Sequence, residues 1–188
     1  MFKFFEKKEK LEPLNVDDTS VVAMAEGELI DISTVPDDIF SKKLMGETTA
    51  FDFGNDKVTL CSPANGTLSV LFPTGHAFGI QMKNGMELLV HIGINTVEAN
   101  GDGFKVMNVK QGDVVKAGQP IVEVDFKKLS KKYNINTMLI ITNNLDTPAQ
   151  FTEPKSVKRG DSVLKQLKSI SRDAFCFDII YLRLLLML

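Results

Sequence analysis

Tryptophan is absent from the 188 residues, tyrosine occurs twice, and there are only two cysteines and two histidines. Cys61 and Cys176 lie far apart and are too few for a disulfide framework or a four-thiolate metal site. The compartment expected for such a chain is the reducing cytoplasm. An excess of charge of one sign is lacking as well: 22 Lys and Arg against 24 Asp and Glu leave a net charge of −2. That balance argues against a nucleic-acid-binding domain, which carries a basic excess. No apolar run reaches the roughly 20 residues that a membrane-spanning helix takes. The most apolar stretch, Phe175–Leu188, is 14 residues long and is broken by Asp178 and Arg183. No secretory signal is expected, because Lys and Glu interrupt Met1–Lys10 and no apolar segment follows. With two histidines in all, any imidazole chemistry rests on His76 and His91.

What is present is an apolar content of 44% with 13 phenylalanines, enough for one domain with its own core, plus tails. From Val21 to about Leu167 short apolar or alternating runs recur between turn signals, the pattern of an all-β protein. Expected strands are Glu28–Ile32, Ala50–Phe53, Thr67–Phe72, Ala77–Met82, Glu87–Ile92, Pro120–Val124 and Thr137–Thr142. Turns carry Gly54-Asn55, Asn84-Gly85, Asn100-Gly101-Asp102-Gly103, Gly112-Asp113 and Gly160-Asp161. Only Asp37–Met45 and Phe126–Tyr133 read as short helices. Ala25-Glu26-Gly27-Glu28-Leu29 resembles Ala64-Asn65-Gly66-Thr67-Leu68, and Val109-Lys110-Gln111-Gly112-Asp113 resembles Val157-Lys158-Arg159-Gly160-Asp161. The spacings of the two pairs differ, so this is no solenoid, but paired turns suggest internal pseudo-symmetry.

The chain thus divides into a charged, aromatic N-terminal tail (1–19), a β domain (20–167) and an apolar C-terminal extension (168–188). The tail reads either as a solvated leader or as a segment whose residues 1–10 touch a membrane surface.

Asn84-Gly85 between apolar runs predicts a two-residue type I′ hairpin. Lys83 then pairs with Met86, Phe78 faces His91 and His76 faces Gly93. Alternation puts His76 on the face of Phe78, so the two histidines become diagonal neighbours with Cα atoms roughly 7–8 Å apart. Thr74 shares that face if the strand extends so far, and Gly93 leaves open space above the pair. Two imidazoles together point to a metal site or to phosphoryl transfer. A catalytic zinc needs three protein ligands, and no third His or paired Cys is at hand. Imidazole is a nucleophile near neutral pH, and a second ring can hold the phosphoryl oxygens once a hydroxyl fixes its tautomer.

These residues resemble a known family. Ser62-Pro63-Ala64-Asn65-Gly66-Thr67, then Thr74-Gly75-His76-Ala77-Phe78-Gly79-Ile80, then Gly85-Met86-Glu87-Leu88-Leu89-Val90-His91-Ile92-Gly93-Ile94 is similar to the glucose-type IIA component of the bacterial sugar phosphotransferase system. The resemblance covers about residues 20–167. It implies a compact antiparallel β-sandwich or barrel of the duplicated hybrid type, with one or two short helices. It implies that His91 accepts the phosphoryl group through Nε2, that His76 binds that group, and that Thr74 orients His76. The donor would be the histidine phosphocarrier protein and the recipient the cysteine of a sugar-permease IIB domain, with regulatory targets as further partners. No cofactor or metal is implied. Ile39, Phe40, Leu44, Met45, Phe72 and Val97 match the family's apolar ring, with Asp37 and Asn95 at its rim.

Three features depart from the family pattern. Asn95 stands where Asp is common. Gly46-Glu47-Thr48-Thr49-Ala50 replaces a glycine-rich loop. The extension after Leu167 has no counterpart. Two other classes compete with the phosphocarrier: a regulatory binding protein using the same apolar face, and a zinc hydrolase of similar architecture. The resemblance implies that the permease chooses the sugar.

Overall fold

In a computed structural model of the chain, the structure describes residues 11–143 and 149–165. The expected contact through residues 1–10 and the apolar extension 168–188 lie outside them. The strands in chain order are β1 (Gly27–Ile30), β2 (Glu47–Asp52), β3 (Lys57–Cys61), β4 (Gly66–Leu71), β5 (Ala77–Met82), β6 (Glu87–Ile92), β7 (Phe104–Val106), β8 (Val114–Val115), β9 (Pro120–Asp125), β10 (Thr137–Asn143) and β11 (Lys155–Val157). The helices are α1 (Asp38–Ser41) and α2 (Phe126–Leu129), with 3-10 turns at Ile32–Thr34 and Thr96–Ala99. No helix among the described residues is long and apolar enough to cross a membrane.

All strand pairs are antiparallel. One sheet runs β11-β1-β2-β10-β6-β5-β4-β8 and a smaller one β3-β9-β7. Neither closes on itself, so the architecture is a sandwich and not a closed barrel. Leu88, Val90 and Ile92 of β6, Leu139 and Ile141 of β10, and Phe78 and Ile80 of β5 point inward. They meet Leu60, Val122 and Val124 of the small sheet in the main core. The opposite face of the large sheet carries a second cluster, Ala50, Met138 and Ile140 with Val35, Phe40 and Ile94. There α1 and the turn before it cover the sheet. Period-two alternation builds both layers at once: β10 is buried on both sides over Thr137–Ile141, whereas β6 buries Leu88, Val90 and Ile92 and leaves Glu87, Leu89 and His91 half-buried on the other face.

The duplication is real, but one of its expected copies is misassigned. Gly27 and Gly66 open β1 and β4, and each lies against the backbone of the next hairpin strand. A Cβ on Gly27 would sit 2.5 Å from the Asp52 carbonyl oxygen, and one on Gly66 would collide with the Gln81 carbonyl oxygen. Across from them, Gly27 pairs with Val157 and Gly66 with Val115. The copy of Val157–Asp161 is therefore Val115–Gln119. Ala23 N–H donates to the Asp161 carbonyl, and Gly160 N–H donates back to Ala23. Ser62 N–H donates in the same way to Gln119, and Gly118 N–H to Ser62. Gly118 (φ +77°) and Gly160 (φ +97°) supply the left-handed residue in each turn. Val109–Asp113 forms a similar turn closed by the Asp113 carboxylate on Lys110 N–H, which is why the sequences look alike.

Leu14 lies against both symmetric glycines, and its N–H donates to the Ala117 carbonyl at 2.7 Å. Asn65 Nδ2 reaches the Val16 carbonyl and the Asp18 carboxylate. Residues 14–18 are thus tied onto the β domain.

Three sequence expectations change. The Asn84-Gly85 hairpin closes with three loop residues: Met82 N–H donates to Met86 O, and Gly85 N–H to Met82 O. Only Gly85 has positive φ (+87°), whereas a type I′ turn needs it at both central positions. The register therefore moves by one, pairing Ala77 with His91 and Phe78 with Val90. Phe78 faces the core, not His91. Glu47–Ala50, expected as a variant loop, begins β2.

Candidate functional site

His91 is an outward-facing residue of β6, between Ala77 of β5 and Met138 of β10. Its neighbours Val90 and Ile92 are buried, so the strand holds its position firmly. The next turn bends sharply at Gly93 (φ +73°). Gly93 N–H donates to the Asn136 carbonyl and Ile94 N–H to the Asn134 carbonyl. The Thr96 hydroxyl donates to the Ile92 carbonyl. So held, the Gly93 carbonyl stands 2.9 Å from His91 Nδ1. A carbonyl only accepts, so Nδ1 carries the proton and Nε2 keeps its lone pair. Gly93 does not leave open space: a Cβ there would collide with Thr96 Cγ2 and lie 2.9 Å from the Asn134 oxygen. Its work is to turn a backbone acceptor onto the ring.

His76 reaches the same place by another route. It lies one residue before β5, after the turn at Gly75 (φ +76°), and so escapes strand alternation. Continued alternation would send it into the core with Phe78. Instead its ring lies edge-on to His91, centroids 5.5 Å apart. The expectation of paired imidazoles holds, although the assumed register and the assumed strand geometry both fail. Thr74 Oγ1 lies 2.6 Å from His76 Nδ1. No described residue hydrogen-bonds Nε2 of either ring. Phe72 lies tilted against His76 with ring centroids 4.9 Å apart, and Phe40 lies tilted against His91 at 5.2 Å, so each imidazole has an aromatic neighbour.

Burial favours the neutral form of both rings. Burial holds His76 below the ordinary histidine value, and the neighbouring His91 adds to the effect. Burial likewise lowers His91, opposed by the Gly93 carbonyl and the Asp37 carboxylate. Asp37 itself caps α1, accepting from Ile39 N–H at 2.9 Å and from Phe40 N–H at 3.3 Å.

Ile39, Leu44, Met45, Phe72 and Val97 are all exposed large hydrophobics. Phe40, expected among them, is 7% exposed and belongs to the second core cluster. Val70 is also exposed and was not anticipated. An extra residue, Ser69, separates the pairs Leu68–Ile80 and Val70–Gly79. This bulge swings Val70 and Phe72 out to the histidine face, where simple alternation from Leu68 would bury them. Asn95 is exposed with φ +58°, a left-handed conformation that Asn tolerates well. Among the described residues no group of three His, Cys, Asp or Glu side chains could hold a metal ion.

Residues 19–147 match the family model described as phosphoenolpyruvate-dependent sugar phosphotransferase system, EIIA 1. The chain is 34% identical over 165 residues to a glucose-specific EIIA component of Halalkalibacterium halodurans, covering 87% of this chain and 94% of that protein. It is 37% identical to a Staphylococcus carnosus glucose-specific EIICBA component, over 77% of this chain but only 21% of that much longer protein. The chain spans about a fifth of such fused relatives. The solved glucose permease IIA of Mycoplasma capricolum superposes with a TM-score of 0.72 at 37% identity, covering 77% of this chain and 93% of that one. A duplicated antiparallel sandwich, two imidazoles on one face and these similarities lead to one assignment: the chain belongs to the EIIA 1 family of the phosphoenolpyruvate-dependent sugar phosphotransferase system.

Proposed function

We propose that the chain is a cytoplasmic phosphocarrier in sugar uptake. It takes a phosphoryl group onto His91 Nε2 from the histidine phosphocarrier protein and passes it to the cysteine of a sugar-permease IIB domain. The observation that carries this reading is the Nδ1 lock on His91 beside a second imidazole. The neutral ring's Nε2 lone pair attacks phosphorus, and the donor's P–N bond breaks with its electron pair returning to the donor imidazole. The phosphorylated His91 ring retains Nδ1–H and is cationic, and the Gly93 carbonyl stabilises that charge. Delivery reverses the step: a thiolate sulfur attacks phosphorus and the P–Nε2 pair returns to His91. Thr74 donates its hydroxyl proton to His76 Nδ1, which leaves Nε2–H to hold the phosphoryl oxygens as charge shifts. Ile39, Leu44, Met45, Phe72 and Val97 form the apolar contact that both partners share, and Asp37 and Asn95 lie at its rim.

Labelled phosphoenolpyruvate with the two general phosphotransferase proteins tests the reading. Label is expected on His91 and absent from His91→Ala. Failure to label, or stable label elsewhere in that variant, overturns it.

A further inference from the structure

We propose that the lysines after β9 form a docking patch for anionic lipid headgroups, beside the histidine face and separate from its apolar ring. Lys127, Lys128, Lys131 and Lys132 fall within six residues and are all exposed. Lys128 of this group and two lysines of the neighbouring strands are matched by carboxylates. Lys57 pairs with Asp125, Lys128 with Asp102, and Lys105 stands opposite Glu123 in the β7–β9 register. Lys127, Lys131 and Lys132 have no such partner among the described residues. On a chain of net charge −2 they concentrate uncompensated positive charge at one place.

The patch is anchored to the site. Leu129, in its middle, packs against Gly103, and the neighbouring Gly101 lies against Thr74. The chain leaving the patch runs through Asn134 and Asn136, whose carbonyls hold the Gly93 turn.

The composition of the patch chooses its partner. Phe126 and Leu129 are buried, so no large apolar side chain of α2 is presented between the lysines. Protein interfaces are built around apolar and aromatic anchors and are depleted in lysine. A diffuse anionic surface asks only for flexible, hydrated cations within a Debye length. Three such charges give a weak, salt-sensitive hold, which suits a carrier that must leave again. The proposal does not depend on phosphoryl transfer.

The test is co-sedimentation of the full chain with vesicles of phosphatidylcholine alone or mixed with phosphatidylglycerol. Binding is expected to the anionic vesicles only and to fall steeply as salt rises. The triple variant Lys127→Gln, Lys131→Gln, Lys132→Gln should lose about a hundredfold in vesicle affinity, at roughly fivefold per lysine. A companion variant with Lys3, Lys7, Lys8 and Lys10 changed to Gln should retain the dependence on the three lysines. Phosphoryl acceptance in solution, measured on the same samples, should be unchanged, so failure of this proposal and failure of the phosphocarrier reading are told apart. Equal binding by wild type and triple variant, or no binding to anionic vesicles, overturns the proposal. Absent vesicle binding with slowed delivery to a detergent-solubilised acceptor would place the patch in a protein interface and overturn it as well.

Discussion

His91 sits inside a regular strand with paired neighbours on both sides, and a backbone carbonyl fixes its ring. His76 sits in a turn beside a strand end, and a side-chain hydroxyl fixes its ring. The two imidazoles touch, yet their supports differ in kind. A backbone acceptor disappears only if the turn that presents it is deformed. A hydroxyl can be removed by one substitution while the fold stays. The proposed nucleophile thus has the rigid support, and its companion the adjustable one.

The harshest way to break this contrast is Gly93→Ala. The new Cβ meets Thr96 and Asn134 at a positive φ, so a loss of about 3 kcal/mol in stability is expected. Denaturant unfolding measures it, and NMR of the His91 ring nitrogens should show the tautomer preference weakened. Wild-type stability would mean that the turn is not constrained as described.

His76→Gln comes next. Delivery to the acceptor should fall roughly 100-fold, the scale seen when one transition-state donor is removed, and acceptance by less than tenfold. Equal rates in both half-reactions would make His76 structural.

Thr74→Val should cost delivery about tenfold, the size of one net hydrogen bond, with an unchanged melting temperature. The His76 ring nitrogens should then report a mixed tautomer. If they do not, the 2.6 Å contact with Thr74 does not set the proton position.

Acid sharpens the comparison without mutation. Both rings titrate below the ordinary value of 6.5, so between those lowered values and 6.5 the unfolded chain binds more protons than the folded one. Their contribution to stability is complete above about pH 6.5 and is lost as pH falls through that window. His76→Gln should flatten part of this slope in unfolding measured from pH 7 to 5.

The smallest effect is expected at Asn95, exposed at the rim. Asn95→Asp should raise the association rate with a basic donor at low salt, by roughly 0–1 kcal/mol in affinity, and the gain should fade as salt rises. Stopped-flow transfer at two salt concentrations checks it; an unchanged or slower association places Asn95 off the partner's path.

Much of the fold was legible because alternation and glycine turns are local signals. Seven expected strands correspond to β1, β2, β4, β5, β6, β9 and β10. Of the strands not foreseen, β7, β8 and β11 have three residues or fewer, and β3 has five. Apart from β3, with its Val58 and Leu60, they offer too few residues for a period to emerge, and tertiary pairing makes them strands. Val70 was hidden for a related reason: a bulge at Ser69 leaves no mark in the alternation of β4.

By itself, the sequence determined an all-β chain in which the only two imidazoles fall in adjacent arms joined by a short turn. The tertiary structure decided how they meet. Turn geometry and packing set the β5–β6 register one residue away from the simplest hairpin. Gly75 then took His76 out of the strand, and the carbonyls of Asn134 and Asn136, more than forty residues along the chain, held Gly93 against His91. A strand's side-chain pattern says which residues share a face, but register and loop direction depend on energies between segments distant in sequence, which only the folded chain brings together.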